Sequence, residues 1–245
     1  MMGMKRLFAA LLTGGLLVTL SLASPAHAVE DPSGAGATCS RPTSDADAIE
    51  IVANVLPQPN DFLWSKTELT IGITTAPNVD PAQFDAVEQA IETWQQTLED
   101  CLAGEVTLTY VPVVPGKRAQ TDIVVHLVPN AGGFHHDGVA VCNPSGCNLT
   151  VKYIGPRGVF TTLDPVAPAS YTYLVALHEI GHALGLGHAT NLYESTDLMG
   201  YGWTSDDSAN VPISQCDVDA LAYVWAWALN GTEPAAPEAA VYECP

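Results

Sequence analysis

His178-Glu179-Ile180-Gly181-His182-Ala183-Leu184-Gly185-Leu186-Gly187-His188 is the stretch on which the reading of this chain turns. A helix is predicted from Ser170 or Tyr171 to Leu184, with Leu174, Leu177 and Leu184 pointing one way. His178 and His182 stand four apart and share a face of that helix. Two imidazoles so placed can converge on one ion at about 2.0–2.1 Å. A straight helix cannot bring a third ligand from another direction. Gly185 and Gly187 stop it, and a positive φ at Gly185 would swing His188 round. Three neutral imidazoles leave one position of Zn²⁺ open to water, and Glu179, beside the first ligand, can take a proton from that water. The pattern therefore predicts one catalytic Zn²⁺ on His178, His182 and His188, with Glu179 as general base.

Upstream, Glu68–Thr74 reads as a strand. Asp80-Pro81 supplies an N-cap and a first-turn proline. Phe84, Val87, Ile91, Trp94 and Leu98 then form one buried stripe on a helix to about Leu102, which Gly104 ends. Glu105–Val114 and Thr121–Val128 read as strands, and two more are placed between Val139 and Ile154. This order predicts an α/β (α+β) chain with a mostly parallel sheet. His126, inside a predicted strand, is read as packed or hydrogen-bonded. Downstream, Ser214-Gln215-Cys216-Asp217 is a capping box opening a C-terminal helix through Val218, Leu221, Val224, Trp225 and Leu229. Near the start, Ser44-Asp45-Ala46-Asp47 reads as another capping box, opening a short helix to Leu56.

The chain has 245 residues. Lys5 and Arg6, the apolar run Leu7 to Leu22 and Ala26-His27-Ala28 make residues 1–28 a secretory signal peptide and not a membrane anchor. Residues 29–60 are read as an N-terminal arm or short propeptide, and 61–245 as the catalytic domain with a short tail. Removing residues 1–28 takes the formal charge from −19 to −21, because they hold two basic residues and no acidic one. So negative a surface disfavours nucleic acid and anionic membranes as partners. Ca²⁺ is a candidate second ion, through acids such as Asp206-Asp207. Six cysteines in a secreted chain predict three disulfides. Cys142 and Cys147 flank a turn and form a local pair, whereas Cys39, Cys101, Cys216 and Cys244 allow three pairings. Asn148-Leu149-Thr150 and Asn230-Gly231-Thr232 are glycosylation sequons.

The eleven-residue stretch resembles the zinc signature of the metzincin clan of zinc endopeptidases. Asp197-Leu198-Met199-Gly200 resembles that clan's methionine turn, with Met199 beneath the zinc. Trp64, Leu69-Thr70-Ile71, the helix bearing Trp94 and Thr121-Asp122-Ile123-Val124-Val125 are similar to a matrixin (peptidase M10-type) catalytic domain over residues 61–230. The resemblance implies a zincin-like fold: a twisted, mostly parallel five-stranded sheet, an active-site helix, a backing helix and a C-terminal helix. It also implies that Tyr201, two residues past Met199, helps stabilise the oxyanion as in related branches. Matrixins carry a second, structural zinc on several loop histidines. Here only His135-His136-Asp137 stands near that place, so a full second site is not expected. Cys39-Ser40-Arg41-Pro42 does not match the matrixin thiolate switch, and a disulfide is expected for Cys39.

The function expected is that of a secreted, monomeric zinc endopeptidase acting on protein or peptide substrates. Substrate would lie extended along an edge strand within residues 139–154. Tyr201 to Trp203 would line the adjoining pocket. Two alternatives are a zinc hydrolase of small amides or cell-wall peptides, and a noncatalytic protein retaining the fold. The intact Glu179 argues against the latter, because a metal-binding module needs no base.

Overall fold

Alternation of buried and exposed positions builds the larger of two sheets. Leu69, Ile71 and Ile73 of β2 (Glu68–Thr75) and Ile123, Val125 and Leu127 of β4 (Ile123–Pro129) are buried at every second position. That is the period of a strand with one face on the core. β3 (Thr107–Tyr110), β5 (Gly138–Asn143) and β6 (Gly146–Tyr153) complete a five-stranded sheet in the order β3-β2-β4-β6-β5. Its first four strands are parallel, and β5 runs antiparallel to β6 at one edge. The structure, a computed structural model, describes residues 39–51, 64–77, 79–114, 120–129, 138–143, 146–153, 168–191, 197–200, 211–235 and 237–245. The segments 1–28, 135–137, 201–203 and 206–207, which carry several of the expectations above, lie outside them.

The crossover between β2 and β3 is α1 (Pro81–Cys101), where an Asp80 carboxylate oxygen accepts the Ala82 N–H at 3.0 Å. Val87, Ile91, Trp94 and Leu98 form the expected buried stripe. α2 (Ala169–Leu184) packs beside α1 and against β5 and β6 and is buried on nearly every side. Three indoles grip it. Trp94 Nε1–H donates to the Leu177 carbonyl (2.8 Å), Trp64 to Ala183 (2.8 Å) and Trp225 to Leu184 (3.0 Å). Ala183 and Leu184 lie in the last turn, where carbonyls lack intrahelical partners and need such donors when buried.

A second sheet was not foreseen. β1 (Ala48–Ile51), β7 (Leu186–Ala189) and β8 (Val241–Glu243) pair antiparallel in the order β7-β1-β8. β1 replaces the short helix expected from Ser44. The Ser44 hydroxyl does accept the Ala46 N–H at 3.3 Å, but the chain then runs extended. Ile49 and Ile51, two apart, are both fully buried, and β1 has a strand partner on each side. Tertiary pairing thus overrides the local signal. The strand expected over Glu105–Val114 shortens to β3, with Pro112, which has no N–H for a ladder, just beyond it. The C-terminal helix divides at Trp225 into α3 (Gln215–Val224) and α4 (Ala226–Leu229).

Disulfides join Cys39 to Cys101, Cys142 to Cys147 and Cys216 to Cys244. The local pair is the one expected. The Cys39–Cys101 bridge closes a separation of 62 residues, and by the chain-entropy model a loop of this size stabilises by roughly 4 kcal/mol. With its sulfur bonded to Cys101, Cys39 carries no thiolate switch in this structure. Among the described residues no helix is long and apolar enough to cross a membrane.

Candidate metal centre

The chain leaves α2 through Gly185, whose φ of 114° lies in the region that favours glycine, as expected from the spacing. Its N–H returns to the carbonyls of Gly181 and His182. A Cβ there would also meet Val224 Cγ1 of α3 at 2.7 Å, so neither the turn nor the packing admits a side chain. The turn delivers the chain directly into β7, which carries His188.

His178, His182 and His188 are brought together, with one candidate ligand atom from each lying within 4.8 Å of the others. His178 Nδ1 is 2.7 Å from the Leu198 carbonyl, and His182 Nδ1 is 2.8 Å from the Leu186 carbonyl. A carbonyl only accepts, so each Nδ1 carries the proton and each Nε2 presents its lone pair. His182 Nε2 and His188 Nε2 stand 3.1 Å apart, a separation at which one cation can bridge two acceptors. Burial, and then the neighbouring imidazole of His182, hold His178 well below its usual range, and burial lowers His182 as well. Imidazole nitrogens from three residues, two of them oriented by outer carbonyls, suit Zn²⁺.

The Leu198 carbonyl comes from the turn that holds Met199. That turn is tied by Met199 N–H to Asp197 Oδ1 (2.8 Å) and by Ala189 N–H to the Met199 carbonyl (2.9 Å). The space a Gly181 side chain would fill is taken by Met199 Sδ, 2.8 Å from a Cβ built there, so Met199 sits under the histidine helix. Asp197 accepts from Ser214 Oγ at 2.7 Å. Ser214 and Asp217 complete the expected capping box, with Asp217 N–H donating to Ser214 Oγ (3.0 Å) and Ser214 N–H to Asp217 Oδ2 (2.8 Å). Burial, and then the nearby Asp197, push the Asp217 carboxyl well above its ordinary range, which favours its protonated form.

Glu179 is buried beside the first histidine. Its carboxylate lies against the backbone of Gly138 at the start of β5. A Cβ at Gly138 would fall 2.1 Å from Glu179 Oε1 and 2.7 Å from its Cδ. Sequence reasoning missed Gly138, although an isolated glycine opening a strand is itself a mark of close backbone approach. The carbonyls of Leu186 and Leu198 were missed as well, because a backbone atom leaves no signal in the sequence. His126 lies apart from the three histidines and is hydrogen-bonded as expected, Nδ1 being 2.7 Å from Thr74 Oγ1. Tyr201, Trp203, His135, His136, Asp206 and Asp207 lie outside the described residues.

β5 is the terminal strand of the larger sheet among the described residues. Val139 and Val141, 38% and 56% exposed, point away from the core, while Ala140 and Cys142 pack inward. The outer edge of β5 has no strand partner among the described residues, and at Gly138 it borders the Glu179 carboxylate.

The family model described as Matrixin matches residues 157–226, which include the three histidines, Glu179, Met199 and the Ser214 capping box. Interstitial collagenase of Bos taurus is 29% identical over 197 residues, covering 76% of this chain and 38% of its own. Matrix metalloproteinase-16 of Homo sapiens is 27% identical over 163 residues, covering 61% of this chain and 25% of its own. The chain thus spans well under half the length of these relatives. Among solved structures, a hatching-enzyme zinc protease from Oryzias latipes superposes loosely, at 15% identity and a TM-score of 0.37, over 74% of this chain and all of its own. In the region that builds the metal centre the chain is matrixin-like, with matrix metalloproteinases as its relatives.

Proposed function

We propose that the chain is a secreted zinc-dependent endopeptidase in which His178, His182 and His188 hold the ion and Glu179 is the general base. The observation that carries this reading is the convergence of three imidazoles, two of them locked by carbonyls in the tautomer a metal needs, next to a buried carboxylate. Zn²⁺ held there would polarise a carbonyl and lower the pKa of bound water towards ~7. Glu179 takes the proton from the attacking water and returns it to the leaving amine. Substrate pairs with the open edge of β5, which sets its scissile bond beside the Glu179 carboxylate. Tyr201 is the candidate donor to the developing oxyanion. Extracellular release fits the N-terminal signal and the three disulfides.

The test uses signal-free protein with its disulfides formed, incubated with denatured casein with and without a zinc chelator, beside Glu179→Ala. Cleavage should need zinc and vanish in Glu179→Ala, which should still bind one zinc per chain. Equal activity in Glu179→Ala and the parent would sink the assignment.

A further inference from the structure

The segment that precedes β2 does not lie loosely on the surface. Cys39 is bonded to Cys101 at the end of α1, and Arg41 Nη2 donates to Thr97 Oγ1 of the same helix at 3.3 Å. Arg41 N–H donates to Gln215 Oε1 (3.0 Å), and Gln215 N–H to the Pro42 carbonyl (2.8 Å), which binds the segment to the start of α3. It then becomes β1, the middle strand of the small sheet. On one side Ile49 and Ile51 stand opposite Ala189 and Leu186 of β7, and Thr190 N–H donates to the Ala48 carbonyl at 2.9 Å. On the other, Ile49 faces Tyr242 of β8, and Cys244 N–H donates to the Asp47 carbonyl at 3.0 Å.

β7 is also the strand that carries His188. Its other edge is closed by the Met199 turn, through Ala189 N–H. The contact with β1 is tightest at Gly187, next to that histidine. A Cβ there would lie 2.6 Å from Glu50 Cβ and 2.7 Å from the Glu50 carbonyl oxygen. His188 is the one ligand of the three that does not ride on α2, so its distance from the other two depends on what clamps β7.

We infer that residues 39–51 are a permanent strap of the metal centre, whose strand β1 presses on Gly187 and so sets the position of His188, and not a leader whose removal activates the protein. This rests on the zinc reading above. A strand that is central to its sheet, with Ile49 and Ile51 fully buried, cannot leave without exposing them and freeing an edge of β7. Changing what orients a metal ligand typically weakens the site by 10–100-fold.

The experiment measures zinc affinity by chelator competition, and the visible spectrum of the Co²⁺ form, for the parent, Gly187→Ala, Ile49→Ala and Leu108→Ala. Leu108 is buried on β3, at the edge of the large sheet opposite β5, and serves as a control for stability alone. Gly187→Ala should weaken zinc by about 10-fold or more and alter the Co²⁺ spectrum. Ile49→Ala, which thins the strap without overlap, should weaken zinc less, and it decides the matter if Gly187→Ala does not fold. Leu108→Ala should lose thermal stability yet keep the parent's affinity and spectrum. Parent-like zinc binding in both strap variants would overturn the inference, as would an equal loss in Leu108→Ala. So would a proteolysed protein that has shed residues 39–51 and still holds zinc and cleaves casein. A parent that binds no zinc would overturn the zinc reading itself, whereas a parent that binds zinc beside unaffected strap variants would overturn only the strap.

Discussion

The candidate metal centre is suspended between two unequal sheets. On one side the five-stranded sheet places the backbone of Gly138 against the Glu179 carboxylate. On the other the three-stranded sheet carries His188 on β7. The large sheet is assembled from consecutive strands, each with its own period-two pattern. The small one joins residues 48–51, 186–189 and 241–243, so none of its strands has a partner nearby in sequence. The difference separates two tasks. On the function proposed above, the large sheet governs where Glu179 and the β5 edge stand, and the small sheet governs whether His188 is in place. Damage on the two sides should therefore read out differently.

The largest effect should come at the helix they share. His182→Ala removes the ligand that faces His188 and should abolish stoichiometric zinc binding, and activity with it. Metal analysis after dialysis checks this, and full zinc occupancy in the variant would break the picture of a three-histidine site.

Next in size is Gly138→Ala, which acts only on the large-sheet side. The added methyl collides with Glu179 Oε1 and must displace the carboxylate. Misplacing a catalytic group by about 1 Å can cost roughly 100-fold. We expect kcat to fall by about 10–100-fold while zinc affinity stays at the parent value. Loss of zinc with unchanged kcat per bound zinc would erase the distinction between the two sides.

The smallest effect concerns the acids beneath the small-sheet side. Burial, and then the nearby Asp197, raise the pKa of the Asp217 carboxyl above the ordinary 3.8. Between that value and its raised one, the folded chain holds a proton that the unfolded chain has released, so stability falls as pH rises. Asn at this position keeps an oxygen for Ser214 N–H, offers N–H to Asp197 and does not titrate. Asp217→Asn should thus melt above the parent at pH 8 by a few degrees, at about 2–4 °C per kcal/mol for a chain of this size. The gap should close towards pH 4. Parallel melting curves across that range would show that the fold does not raise the pKa of this carboxyl.

Much of the centre was legible because its geometry is local. The i, i+4 spacing of His178 and His182 fixes a shared face, and Gly185 announces a left-handed exit with φ of 114°. The Asp80 and Ser214 caps and the stripe of α1 were legible for the same reason. The helix expected at Ser44 failed because its capping signal is local, while the burial of Ile49 and Ile51 is a property of partners far away in the chain. Gly138 was passed over because its meaning lies in a carboxylate 41 positions on.

Readable along the chain were the three candidate histidines, the candidate base Glu179, the turn at Gly185 that leads to His188, the alternating strands of the large sheet and the Cys142–Cys147 loop. All of these depend on residue type and short spacing. Only the tertiary structure decided that Cys39 pairs with Cys101 and Cys216 with Cys244, that residues 48–51 form the middle of a second sheet, and that backbone carbonyls of Leu186 and Leu198 orient the imidazoles. Those contacts close loops of tens of residues or use main-chain atoms common to every amino acid, and neither leaves a pattern along the chain.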